Sequence, residues 1–427
     1  MRALAALLAL APLPALAFCG FFVSGADSGL YNDASQVVLM RKGTRTVMSM
    51  SNNYKGPTED FAMVVPVPVV LQKQQVKTLP ADVFDKIDAL SAPRLVEYWE
   101  RDPCKPPMPQ KMRGGAPGGA VFSAGGAPSD EELGVKVEAK FAVGEYTVVI
   151  LSAKEATGLD RWLRLNKYKI PAGADALLAP YIQQGMKFFV AKVDIEKVKR
   201  DEAGTVVLSP LRFDFESPEL RLPVRLGLLN ANGKQDLIVY TLHPESRFEV
   251  ANYPNVFIPT NVEVLDEVRE RFGSFYTALF DKTLALKDGK AIVTEYSWQA
   301  GSCDPCPVPP LQDSDLYTLG GDVLIGGSGP PPGGATRPSR PPPGPFFGGG
   351  SAWVLTRMHT RFSKASLSED LVFKPADPVV GGRARWDGTA MESAGEVKPA
   401  RQNNFQGRYI IRHYWEGPVA CENPRWN

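Results

Sequence analysis

Residues 135–141 read Val-Lys-Val-Glu-Ala-Lys-Phe, apolar at every second position, and this rhythm constrains the chain more than any other feature. A period of two puts successive side chains on opposite faces of a strand, so one face can be buried while the other stays in water. The rhythm returns at Leu211, Phe213 and Phe215, which alternate with Arg212 and Asp214. It returns again over 220–228, where Leu220, Leu222, Val224, Leu226 and Leu228 alternate with Arg221, Pro223, Arg225 and Gly227. Tyr146 to Leu151, after a turn at Gly144, is apolar enough to be buried on both faces. Further strands are predicted over 35–41, 45–53, 60–70, 187–194, 235–242, 291–298, 353–362 and 408–416.

One of these carries a positional constraint. Val64-Val65-Pro66-Val67-Pro68-Val69 removes two backbone donors from the same side of a strand, because residues two apart point their N–H groups the same way. The stretch therefore belongs at a sheet edge or a bulge.

Helical periodicity is sparser. Asp82 to Ala89 places Val83, Phe84 and Ile87 on one face. Thr260-Asn261-Val262-Glu263 has the form of a capping box, predicting a helix with Leu265, Val268, Phe272, Phe275 and Leu279 on one stripe. Shorter helices are predicted near 154–164 and 174–184. The fold class that follows is α+β: strand-rich, with mixed and antiparallel sheets, a few helices and two loop insertions. Those insertions are 105–130, with eleven Gly or Pro, and 326–350, with seventeen. Such composition buries too little apolar surface to offset the entropy of ordering. Arg337 to Pro343 has the look of a polyproline ligand, although a stiff spacer accounts for it as well.

The first seventeen residues form a unit of their own. Met1-Arg2 opens with one positive charge, Ala3 to Ala11 is apolar, and Ala15-Leu16-Ala17 is a small-x-small cleavage site. This is the pattern of a secretory signal peptide cleaved before Phe18. The apolar run is too short to span a bilayer, and no later stretch reaches the ~18 residues a spanning helix needs, so no transmembrane anchor is expected. The bulky Phe18 ahead of Cys19 argues against lipid attachment there. Loss of Arg2 takes the net charge from +1 to 0, which leaves no electrostatic case for nucleic acid. The expected mature unit is 18–427, with a division into two lobes near residue 255 as an option. Its expected location is the periplasm or the medium.

Disulfides persist in such a compartment, and the five cysteines Cys19, Cys104, Cys303, Cys306 and Cys421 allow at most two bridges. Cys303-Asp304-Pro305-Cys306 invites a redox reading, in which a helix N-terminus lowers the pKa of the attacking thiol. Pro307, Pro309 and Pro310 follow at once and oppose that helix, so a structural role is favoured. The matched strand endings at Trp298 and Trp415 point to a bridge from Cys303 or Cys306 to Cys421. A weak echo, in which Trp99, Trp298 and Trp415 each precede a cysteine by five or six residues, hints at duplicated halves.

Other chemistry finds little support. His243, His359 and His413 form no metal-binding spacing, no serine-hydrolase elbow or phosphate loop is present, and neither a metal nor a cofactor is expected. Thr58-Glu59-Asp60 could flank a site but reads more simply as a turn. Arg357, His359 and Arg361 alternate along a strand opposite Val354, Met358 and Phe362 and should share one face. They are candidates for an anionic ligand, weighed against a solvated face with cross-strand carboxylates. Tyr98-Trp99 and Tyr414-Trp415 are candidates for stacking on sugars, weighed against core packing.

Four segments together resemble a family. They are Phe18-Cys19-Gly20-Phe21-Phe22-Val23, the run from Gly56 to Pro68, Cys303-Asp304-Pro305-Cys306, and Leu355 to Phe362. The chain resembles the bacterial exported proteins grouped as domain of unknown function 2330, over most of its mature length. The resemblance implies export and one shared architecture; it supplies no activity, cofactor or catalytic residue. The expected function is that of a non-enzymatic binding or structural protein of the envelope or medium, with envelope polysaccharide or a protein as partner. The alternative is a thiol-disulfide oxidoreductase using Cys303 and Cys306.

Overall fold

A computed structural model describes residues 35–51, 62–100, 102–104, 135–166, 168, 173–194, 196–200, 206–230, 235–325, 353–363, 366–381, 384–386, 391–393 and 397–424. The expected signal segment 1–17, Cys19, Thr58-Glu59-Asp60, the Arg337 to Pro343 run and the expected loop insertions 105–130 and 326–350 lie outside these residues. The α+β class expected from the sequence is the class observed.

The largest sheet has eleven strands. At its centre Ser35–Lys42 runs parallel to Gln235–His243, which pairs antiparallel along its whole length with Val354–Phe362. Arg45–Ser51 and Leu211–Glu216 extend the sheet on one side, and Ile292–Gln299 extends it on the other. Strands from both sides of residue 255 are therefore neighbours in one sheet, and the optional two-lobe division falls on no sheet boundary.

A second, antiparallel sheet runs in the order Ala62–Val67, Lys187–Val193, Tyr146–Ala153, Val135–Val143. The strand with Pro66 lies at its edge, as the missing donors require. The two sheets pack face to face over Val37, Leu39, Met48 and Met50 from the first and Met63, Val65, Ile150 and Phe189 from the second. On the outer side of the second sheet lie the helices Ala156–Leu165 and Ala174–Gln183. On the outer side of the first lie helix Asp82–Ser91, the helical run 313–324 and helix Phe272–Ala285. Gly320, at φ 151°, lets that run rest directly on Val47, where an added Cβ would come within 2.9 Å. The order is helix, sheet, sheet, helix.

Three local expectations change. The alternation over 220–228 forms a strand only at Leu220–Leu222, because Pro223 supplies no ladder donor, and Arg225–Asn230 coils into a 3-10 helix. The capping-box helix does not start at Thr260. Val262–Glu263 instead pairs in parallel with Tyr409–Ile410, Thr260 Oγ1 bonds to the backbone at Gln406 and Arg408, and the helix starts at Phe272. The rhythm of 135–141 is broken by a bulge between Val137 and Ala139. Val135 and Val137 face the helices, whereas Ala139 and Phe141 turn toward the other sheet.

Candidate functional site

Two clusters of ionisable side chains stand out, one inside the fold and one on its surface. The inner one is organised by Val354–Phe362. The alternation of this strand puts Arg357, His359 and Arg361 on the helix-covered face of the large sheet, with Met358 and Phe362 on the other. The neighbouring strand Ile292–Gln299 carries a bulge between Thr294 and Tyr296, and Glu295 is the extra residue it inserts. That bulge aims a carboxylate at both Arg357 and His359.

Glu295 Oε2 accepts from Arg357 Nε at 2.6 Å, and its Oε1 meets His359 Nδ1 at 2.8 Å. Tyr276 adds a third donor to Oε1. Asp236 Oδ1 meets the other His359 nitrogen at 3.1 Å, and the Asp236 carboxylate takes both Nε and Nη2 of Arg361. Arg361 also reaches Asp281, while Arg357 Nη1 donates to Asp88 and to the Tyr240 hydroxyl. Three cationic side chains thus face four carboxylates. Phe280 stacks on the His359 ring at 4.0 Å and closes the cluster from the helix side.

The electrostatics follow from this packing. Burial alone would push the His359 imidazole down, but Glu295 and Asp236 outweigh it and the pKa is raised. With a carboxylate on each nitrogen, the ring serves as a double donor. Burial would push Glu295 up, yet His359, Arg357 and Tyr276 hold it down at about 2. Asp236 is depressed against its own burial penalty by His359 and Arg361.

These positions revise the sequence reading. Arg357, His359 and Arg361 do share a face and do have cross-strand carboxylates, but the face is not solvated. Arg357 and Glu295 are 0% exposed and His359 is 2% exposed. Their charges are engaged by the protein's own acids, and an external anion has no path to Arg357 in this state. The arrangement can clamp helices Asp82–Ser91 and Phe272–Ala285 onto the sheet. Sequence reasoning missed Glu295, although a lone acid within the strand Ile292–Gln299 was a usable signal.

The cysteines pair differently from expectation. Cys303 bonds to Cys306, with Cα atoms 5.0 Å apart, and Cys104 bonds to Cys421 at 5.5 Å. The expected link from Cys303 or Cys306 to Cys421 fails because Ile292–Gln299 and Arg408–His413 lie in different sheets. Arg408–His413 instead runs parallel to Arg94–Trp99, so the two chains leave side by side and carry Cys104 to Cys421. The Trp99 and Trp415 members of the echo are thus neighbours in space. Residues 301–310 contain no helix, the next begins at Asp313, and Cys306 is exposed.

The outer cluster lies on this small parallel sheet, whose third strand is Val262–Glu263. Trp99 and His413 are register partners and stack at 4.7 Å with their rings 13° from parallel. His413 Nε2 meets Glu97 Oε2 at 2.9 Å, and Arg269 clasps the same carboxylate through Nε and Nη2. Those contacts, led by the Arg269 hydrogen bond, lower the Glu97 pKa. Trp99 is 63% exposed, and Leu265 and Val262 are also in solvent. Core packing, the competing expectation for these aromatics, does not hold for Tyr98, Trp99 or Tyr414, whereas Trp415 is half-buried with its indole nitrogen enclosed. Tyr98 and Tyr414 are exposed too, but the pleat puts them on the opposite face, bonded to Arg408 and Glu263.

Among the described residues no set of three or more His, Cys, Asp or Glu is disposed to hold a metal, and no helix is long and apolar enough to cross a membrane. The two clusters thus mark an α+β protein with a largely buried ionic clamp beneath two helices and an exposed aromatic ring on its surface. The chain belongs to the family described as uncharacterized proteins conserved in bacteria (DUF2330), whose model matches residues 13–374. No curated protein matches the chain. No solved structure matches it either.

Proposed function

We propose that this is an exported, non-enzymatic binding protein of the cell envelope or medium, and that the face carrying Trp99 contacts envelope polysaccharide. The observation that carries the reading is the exposed Trp99 ring held flat against His413, itself fixed by Glu97 and Arg269. A large aromatic face in water, rigid before any partner arrives, stacks on the C–H face of a sugar at little entropic cost. Planar carboxylate and guanidinium groups beside it match sugar hydroxyls. The pattern of residues 1–17 supports export, and the Cys104–Cys421 bridge suits an oxidising compartment.

The test is retention on purified envelope polysaccharide. The mature protein should bind saturably, and Trp99→Ala should bind at least tenfold more weakly with an unchanged unfolding midpoint. Equal retention of the two proteins sinks the reading.

A second reading, a thiol-disulfide oxidoreductase, is favoured by the bridge within Cys303-Asp304-Pro305-Cys306, whose Cys306 end is exposed. The missing helix weakens it, since no helix N-terminus follows Cys303 directly to lower the pKa of its thiol. Insulin reduction that disappears in Cys303→Ser would support this reading over the first.

A further inference from the structure

The bulge in Val135–Val143 has a consequence at the other end of the molecule. By shifting the phase of the strand it turns Lys140 onto the helix-covered side of the second sheet. Lys140 there lines a cavity of about 190 Å³ together with Thr147, Lys192, Trp162, Asn166 and Tyr168. Lys192 and Thr147 are register partners on adjacent strands, and Lys140 comes from the strand on the far side of Thr147. Among the described residues neither lysine pairs with a carboxylate.

Two further observations set this cavity apart from a packing gap. Trp162 is buried, yet its indole N–H has no hydrogen-bond acceptor, and an unmatched buried donor costs about 1–3 kcal/mol. The helix carbonyls nearby are already taken: Trp162 O accepts from Asn166 N and Nδ2, and Leu163 O accepts from Tyr168 N. These carbonyls are engaged within the helix end, and of the two lysines beside it Lys140 is exposed and Lys192 half-buried.

We infer that this cavity is a binding site for a single sugar acid of the hexuronate class. The volume holds about six waters and falls below the ~300 Å³ of drug-sized sites, which limits the ligand to one ring. Two ammonium groups call for an anion. The Val137, Val149 and Trp162 wall calls for an apolar C–H face, and Thr147 and Asn166 offer partners for hydroxyls. A uronate carries all three features on one ring, and its ring oxygens offer acceptors to the Trp162 N–H. This site lies on a different sheet from Trp99 and does not rest on the polysaccharide reading.

Calorimetric titration of the mature protein with galacturonate, galactose and inorganic phosphate tests it. Galacturonate should bind one to one, with galactose and phosphate each at least tenfold weaker. Lys140→Ala and the length-preserving Lys192→Met should each weaken galacturonate at least tenfold at an unchanged thermal midpoint. Trp99→Ala should leave it unaltered, which separates this site from the aromatic face. Equal affinity for galactose, tighter binding of phosphate, or undiminished binding by the lysine variants would overturn the assignment.

Discussion

The inner and outer clusters are built from the same parts. Each has a glutamate between a histidine and an arginine, and each histidine carries an aromatic ring on its face: Glu295, His359, Arg357 and Phe280 inside, Glu97, His413, Arg269 and Trp99 outside. The inner set adds Asp236, Asp88, Arg361 and Asp281 around that shared pattern, and the larger difference is solvent. Inside, desolvation makes every unmatched charge costly, so the set holds together as one unit and positions two helices. Outside, water screens the same contacts, and their effect is to hold the Trp99–His413 stack at the surface. Residue chemistry alone therefore does not separate an internal clamp from a surface cluster; burial does.

This contrast can be broken by mutation, beginning with the largest expected effect. Glu295→Gln leaves Arg357 and His359 buried without their shared carboxylate and should destabilise the fold by about 3–5 kcal/mol, read by chemical denaturation. The matching change Glu97→Gln should shift the denaturation midpoint far less, since that side chain is 24% exposed and water screens its contacts. If the two variants lose similar stability, the distinction between the clusters fails.

Removal of the Cys104–Cys421 bridge by Cys104→Ser should cost about 2–5 kcal/mol, because the bridge closes a loop of 317 residues. The Cys303–Cys306 bridge closes a far shorter loop, and its removal should cost less. The order of the two midpoints checks this.

Stability should also form a dome in pH. His359 has a raised folded pKa, so its contribution is complete below its unfolded value near 6.5 and is lost as pH climbs through the folded value. Glu295 is depressed to about 2, so its contribution is complete above its ordinary value of 4.5 and is lost as pH falls toward 2. A plateau between those limits is expected, and Glu295→Gln should flatten the acid limb most. An acid limb of the same steepness in that variant would assign the loss to other carboxylates.

Much of the architecture was legible from the residues. Period-two alternation located most of the long strands, and Pro66 and Pro68 located an edge, because both signals are local properties of the backbone. The shared face of Arg357, His359 and Arg361 was legible for the same reason. What covers that face was not. Phe280 and Tyr276 arrive from a helix more than seventy residues earlier, and Glu295 arrives through a bulge that breaks the alternation used to read the strand. The false capping box at Thr260 shows the same limit, since its hydroxyl is claimed by backbone at Gln406 and Arg408. Cysteine pairing was hidden too, because it depends on which strands become neighbours. The exposed ring of Trp99 was visible only as one of two Tyr-Trp pairs, and no local pattern reveals that Trp99 is in solvent while Trp415 is half-buried.

The most direct test of the account is Trp99→Ala with polysaccharide retention and denaturation midpoint read on the same sample. The account predicts a surface change of stability, within about 0.5 kcal/mol of the parent, and at least a tenfold loss of retention. A variant that binds as the parent does, or that unfolds early, would show the outer cluster to be one more part of the scaffold.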